Sequence, residues 1–210
     1  MEIKQILLSK MMTFAYMVGD KQTKTCALID PAFDTGRILK TVEQAGYRVS
    51  HLINTHGHSD HTAGNQVIKA ATGAQLMIHA ADAPRLSKML QRAFSRMLGG
   101  KGSPVPDILL QDNELVEIGA ASLKVIHTPG HTPGGICLYG EGHLFTGDSL
   151  FVGAVGRTDL PGGSARQLLT SIREKIYPLP GDTIIWPGHN YGSSPSSTVE
   201  QEMRTNPFTQ

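Results

Sequence analysis

Three histidines and a carboxylate fall within six residues in His56-Gly57-His58-Ser59-Asp60-His61. Imidazole and carboxylate together suit zinc, iron or manganese. His56 and His58 stand two apart, so an extended backbone turns both to the same side, where they can grip one ion. Asp60 and His61 follow where the chain is expected to enter a helix, and they can face a second ion nearby. Four ligands in so short a loop do not fill an octahedral site, so partners from elsewhere in the chain are expected. A histidine-rich solvent loop is the plainer explanation. The H-x-H-x-D-H spacing at a strand-to-helix junction is far more specific than any of its parts.

Three later positions meet the need for partners. His131 lies in His127-Thr128-Pro129-Gly130-His131-Thr132-Pro133-Gly134, Asp148 in Phe145-Thr146-Gly147-Asp148, and His189 in Trp186-Pro187-Gly188-His189. Each follows an apolar, strand-like run and sits on a loop rich in Gly or Pro, the setting where functional residues concentrate. Singly, Asp148 could be a turn cap and His189 a surface residue. With the first motif they make seven ligands, enough for two ions with room for water.

The elements that must carry these loops alternate. Strands are expected at 3–9 (which also fits a short helix), 14–18, 25–30, 47–54 and 74–79, with helices at 34–45 and 62–71 between them, the pattern of a layered α/β protein. Short antiparallel strands follow at 115–118, 123–127, 135–139 and 143–146, the last pair turned by Gly140-Glu141-Gly142. A helix at 165–176, a strand at 183–186 and a short helix at 198–204 close the chain. A further helix is expected at 82–98, with Leu86, Met89, Leu90, Ala93 and Met97 on one side, a stripe that could serve a homodimer as well as a core. Along the same segment run Arg85, Lys88, Arg92, Arg96 and Lys101. They read as a solvated face or as a basic flap that attracts an anionic substrate.

Length and charge bound the rest. The 210 residues suit one domain, and a formal net charge of +1 points to neither nucleic acid nor membrane as a partner. The two cysteines, Cys26 and Cys137, lie in apolar runs and read as buried free thiols rather than a disulfide framework or a zinc finger. Met1-Glu2-Ile3-Lys4-Gln5 does not read as a signal peptide, so a cytoplasmic location is expected.

The order T-H-x-H-x-D-H, then H-T-P-G-H-T, then G-D, then P-G-H resembles the metallo-β-lactamase superfamily over nearly the whole chain. The resemblance implies a four-layer αββα sandwich with the metals at one edge of the sheets. It implies one metal held by His56, His58 and His131, a second by Asp60, His61 and His189, and Asp148 as the bridge. It gives no ligand role to His51, His79, His127 or His143, which read as structural or surface residues.

Within the superfamily, Gly147-Asp148-Ser149-Leu150-Phe151 and Gly156-Arg157 resemble the glyoxalase II branch. That resemblance implies a binuclear hydrolase of thioesters such as hydroxyacylglutathione. A hydroxide between two divalent ions, zinc first and iron or manganese next, attacks the carbonyl carbon, and no serine or cysteine nucleophile is needed. Asp60 would position that water or accept its proton, and Arg157 would contact the substrate. Two departures are visible: Asp159 stands where glyoxalase II proper carries an aromatic residue, and the chain ends soon after His189. A single domain over 1–210, without the C-terminal helical domain of glyoxalase II, is therefore expected. Gly156-Arg157-Thr158-Asp159, 197–202 and Asn206-Pro207 also resemble persulfide dioxygenases, which use one iron on the equivalents of His56, His131 and Asp148. Pro187-Gly188-His189-Asn190-Tyr191 departs from that branch. A lactonase or a non-catalytic metal-binding protein stands behind both readings.

Overall fold

The structure is a computed structural model that describes residues 1–97 and 99–210, with 90–92 and 94 described by their backbone. The first half runs β1 (Glu2–Leu7), β2 (Phe14–Asp20), β3 (Thr25–Ile29), α1 (Thr35–Gln44), β4 (Arg48–Asn54), α2 (Ser59–Thr62), α3 (Asn65–Thr72) and β5 (Gln75–His79). Next come α4 (Ala83–Ser87), α5 (Met89–Met97), β6 (Ile108–Leu110), β7 (Leu115–Ile118) and β8 (Ala121–His127). The rest runs β9 (Ile136–Gly140), β10 (His143–Gly147), β11 (Leu150–Phe151), β12 (Ala154–Val155), α6 (Ala165–Ser171), a π-helical turn (Ile172–Ile176), β13 (Ile184–Pro187), β14 (Ser197–Thr198) and α7 (Val199–Thr205).

Among the described residues the strands form two six-stranded sheets, ordered β1-β2-β3-β4-β5-β6 and β14-β13-β10-β9-β8-β7, beside the small β11-β12 hairpin. Period-two alternation sorts their side chains into two cores. Phe14, Tyr16 and Val18 of β2 face Val116, Leu123 and Val125 of the other sheet, while Ala15 and Met17 face the helices with Ile38 of α1 and Ile68 of α3. On the far side, Cys137, Leu144 and Ile185 pack against Leu168, Ile172 and Val199. The result is the expected four-layer αββα sandwich. Each fully buried Leu or Ile in these layers contributes on the order of 1.5–3 kcal/mol.

One consequence of the topology sets up the site. Strands β3, β4, β5 and β6 pair in parallel, as do β10 and β13, so their C-terminal ends open on one edge of the sandwich. The loops after β3, β4, β5, β10 and β13 therefore meet there, together with the loop after β8.

Three expectations are corrected. The segment 82–98 is two helices, because Lys88 turns extended (φ −62, ψ 132) between them, although no Gly or Pro marks the break. Leu98 and the side chains of Leu90 and Arg92 lie outside the described residues. Leu86 joins the core while Met89 and Met97 are exposed, so the stripe divides between core and solvent. The helix expected at 62–71 is α3, which starts only at Asn65, with α2 a separate tight turn before it. The helix at 165–176 widens to a π turn at Ile172, which lets both Ile172 and Ile176 face the core.

Candidate metal centre

Strand β4 delivers the motif. It runs apolar to Asn54, whose amide donates to the His61 carbonyl at 3.1 Å and so folds the loop back on itself. His58 is extended and precedes α2, which carries Asp60 and His61. His131 comes from the loop after β8, Asp148 from the end of β10 and His189 from the end of β13. All five histidines and Asp60 are buried.

The ligand atoms converge in three sets: His56, His58 and His131; His56, His61 and Asp148; and Asp60, His61 and His189. His131 Nε2 stands 2.9 Å from His58 Nδ1 and 3.3 Å from His56 Nε2. His61 Nε2 stands 3.1 Å from His189 Nε2. Ligands at about 2.0–2.1 Å around a tetrahedral ion lie roughly 3.3 Å apart, so these spacings fit. Asp148 lies between the sets, with Oδ1 3.3 Å from His61 Nε2 and Oδ2 3.4 Å from both His131 Nε2 and His189 Nε2. Asp60 Oδ2 is 3.5 Å from His189 Nε2 and 3.9 Å from His61 Nε2.

The ring protons of four histidines point away from the cluster. His61 Nδ1–H donates to Asp30 at 2.9 Å, His131 Nδ1–H to the Arg157 carbonyl at 2.7 Å, and His189 Nδ1–H to the Met11 carbonyl at 2.8 Å. His56 Nδ1–H meets the Thr55 hydroxyl at 3.1 Å, and that hydroxyl donates onward to Asp30 at 2.6 Å. Each of these four rings thus turns a bare Nε2 inward, the arrangement of metal-ligating histidines. Asp148 Oδ1 is buried without a hydrogen-bond donor, an orphan that a cation would satisfy. The residues present fit divalent metal.

The electrostatics divide the rings between neutral and protonated forms. Burial, then the neighbouring His61, hold the His56 imidazole well below its ordinary value. Burial and His131 push His58 down to about 3. Burial would also depress His61, but Asp148, Asp30 and Asp60 outweigh it and hold that ring well above its usual value. Burial opposes the charge on Asp148, and His189 and His61 overcome this to hold it well below the usual carboxylate range.

Other residues were not legible as part of the site. Asp30, at the end of β3, accepts from Thr55 and His61. The available signal was a carboxylate ending a buried apolar strand, the same placement as Asp148. Asp82 accepts the N–H groups of Gly57 and Gly134. Arg85, taken in sequence as part of a solvated face or flap, reaches His58 Nε2 at 3.2 Å and donates to the Pro161 carbonyl. Arg157 is exposed and forks onto Asp159 at 2.7 Å through both Nε and Nη2, so its backbone carbonyl is what contacts the site. His79 and His127 stack 4.0 Å apart, His143 accepts from the Trp186 indole, and His51 meets Ser50.

An αββα sandwich with this His/Asp cluster at its edge defines a metal-dependent enzyme class, and the chain belongs to the metallo-beta-lactamase superfamily, whose sequence profile matches residues 9–189. Among its relatives is the mitochondrial persulfide dioxygenase ETHE1 of Homo sapiens, 34% identical over 93% of this chain and 70% of that protein. The hydroxyacylglutathione hydrolase GloC of Haemophilus influenzae is 34% identical over 88% of this chain and 87% of its own. The fold is similar to that of the BLEG-1 B3 metallo-beta-lactamase, at a TM-score of 0.90 and 33% identity over 100% of both chains. It is also similar to TTHA1623 in a di-iron-bound form, at a TM-score of 0.83 and 30% identity over 98% of this chain and 99% of that one. No helix among the described residues is long and apolar enough to cross a membrane.

Proposed function

We propose that the protein is a binuclear metal-dependent hydrolase of small-molecule thioesters, with glutathione conjugates such as hydroxyacylglutathione as the leading substrate class. The observation that carries this reading is the position of Asp148, whose two oxygens reach His131 on one side and His61 and His189 on the other. The similarity to GloC and to the di-iron TTHA1623 supports it.

Two divalent ions on these residues would supply a water of lowered pKa and a Lewis acid for the thioester carbonyl. His56, His58 and His131 would hold one ion, Asp60, His61 and His189 the other, and Asp148 would bridge. The Asp60 carboxylate, beside His189 and the second set, would orient the attacking water and accept its proton. A thiolate leaves without needing a strong general acid, so no further titrating group is required. Arg157 is the candidate for the substrate's anionic end, which would have to share it with Asp159. A cytoplasmic setting, a homodimer, and no nucleic-acid or membrane partner complete the proposal.

The test is metal content and turnover measured together. About two ions per chain, with thioester hydrolysis lost in Asp148→Asn, is the expected result. Two bound ions with no hydrolysis of any ester or thioester overturns the proposal.

A second reading has its own observation. With His58 turned to Arg85, the remaining His56, His131 and Asp148 form two histidines and one carboxylate, the ligand type of mononuclear iron oxygenases. The similarity to human ETHE1 supports it. One iron per chain, with oxygen consumed on adding a glutathione persulfide, would move the assignment there.

A further inference from the structure

Four of the five site histidines send the ring proton outward to an acceptor, and His58 is the exception. Its Nε2 faces the Arg85 guanidinium at 3.2 Å. Arginine has donors only, so this contact requires a lone pair on His58 Nε2. A neutral imidazole with its lone pair at Nε2 carries its proton on Nδ1. That proton points at His131 Nε2, 2.9 Å away, and His131 in turn donates from Nδ1 to the Arg157 carbonyl. The Arg85–His58–His131 series is a complete donor-to-acceptor run. Ligation through His58 Nδ1 needs the opposite tautomer, with a proton on Nε2 aimed at a cation. The two arrangements exclude each other.

Arg85 is held where it can impose this choice. Its stem lies against Gly57, where a Cβ would come within 2.9 Å of the Arg85 Cβ. Its Nη1 and Nη2 both donate to the Pro161 carbonyl, at 3.2 and 3.3 Å. Among the described residues no carboxylate pairs with it, and its buried Nε has no acceptor, so no anionic neighbour draws the guanidinium off His58.

We infer that Arg85 withholds His58 from metal, so that the His56–His58–His131 set binds its ion more weakly than the Asp60–His61–His189 set and fills only when Arg85 swings off the ring. The inference rests on reading these residues as metal ligands. Arg85 is a positioning residue in this account, and an anion able to engage its guanidinium would favour full occupancy.

The test is zinc titration by calorimetry on full-length protein stripped with chelator, comparing wild type with Arg85→Met and Arg85→Gln. The thermal melts of the three would establish that each is folded. Wild type is expected to show two unequal steps. Arg85→Met should tighten the weaker step by about tenfold or more, and Arg85→Gln at least as much, since its amide oxygen can accept the Nε2 proton. Histidine nitrogen-15 shifts add a readout that a merely structural role would not move. Before zinc, His58 should carry its proton on Nδ1 in wild type and show the Nε2–H tautomer in Arg85→Gln. Two steps of unchanged affinity in all three proteins overturn the inference while leaving the binuclear hydrolase standing. One ion in wild type and two in Arg85→Met uphold the inference and overturn the binuclear reading of the native chain. One ion throughout overturns both.

Discussion

The Asp82 carboxylate accepts the backbone N–H of Gly134 at 2.9 Å through Oδ1, across 52 residues of chain. Its Oδ2 accepts the N–H of Gly57 at 2.7 Å. One buried side chain thus ties the loop that carries His56 and His58 to the loop that carries His131. Gly134 has no room for a side chain here, since a Cβ would lie 2.5 Å from the Asp82 nitrogen. Removing the carboxylate strands two N–H groups, one beside each metal loop. Asp82→Ala is expected to cost about 2–4 kcal/mol of unfolding free energy, with Asp82→Asn milder because its amide keeps one acceptor. Urea denaturation of both variants checks this, and equal stability of Asp82→Ala and wild type would refute the clamp.

Asp30 does comparable work on the second set. It accepts from His61 Nδ1 at 2.9 Å and from the Thr55 hydroxyl at 2.6 Å, and Thr55 meets His56. It therefore orients one ring in each half of the site. Asp30→Ala should weaken zinc binding about 10–100-fold, read by competition with a chromophoric chelator. A lower melting temperature with unchanged affinity would assign Asp30 to the fold alone.

Close packing of glycine against the bridging carboxylate gives a third expectation. A Cβ on Gly188 would fall 2.4 Å from Asp148 Oδ1 and 2.9 Å from the Gly147 carbonyl carbon. Gly188→Ala should therefore lower metal stoichiometry as well as stability. Gly36, in the first turn of α1 with nothing within 4 Å of its would-be Cβ, is the control. Gly36→Ala should be neutral or stabilising by about 0.5–1 kcal/mol, with metal content unchanged.

Acid should act on the end of the sandwich where the β2–β3 turn meets the β7–β8 turn. Asp20 accepts from the Ala120 N–H, then from the Thr23 hydroxyl and the N–H groups of Gln22 and Thr23, which hold its carboxyl well below the usual range. A folded value below the unfolded one stabilises fully above the unfolded value of about 3.9, and this contribution is lost as pH falls through the folded value. The melting-temperature gap between wild type and Asp20→Asn should hold constant above about pH 5 and shrink progressively below about pH 4. A gap that does not change with pH would show that Asp20 contributes through shape rather than charge.

Metal should couple to stability because Asp148 and its neighbours concentrate buried polar groups that an ion satisfies. Zinc at about 1,000 times its dissociation constant should add roughly 4 kcal/mol, seen as a melting temperature that rises with free zinc and falls on chelation. A melting temperature indifferent to zinc would contradict the assignment of this cluster as a metal centre.

The chemistry of the cluster and the material of the layers were already written in local residue spacing. His56, His58, Asp60 and His61 are legible together because a strand, a loop and a helix start are local events, and local spacing sets which side chains share a face. The same holds for the alternation at Phe14–Asp20, which divides Phe14 and Tyr16 from Ala15 and Met17 between two cores. His131, Asp148 and His189 could be picked out by their similar settings, each on a loop after an apolar run. Only the tertiary structure brought them together. Their meeting depends on the parallel pairing of β3 with β4 and of β10 with β13, which aligns strand ends that lie far apart in the chain. The tertiary structure alone also decided the roles of Asp30, Asp82 and Arg85. An aspartate at a strand end, one before a helix, and an arginine in a basic run carry no sign of their partners, because hydrogen bonds across 25 to 52 residues leave no periodicity to read. The break at Lys88 belongs with them: the apolar stripe predicts one helix, and the packing of Leu86 into the core with Met89 left outside divides it in two.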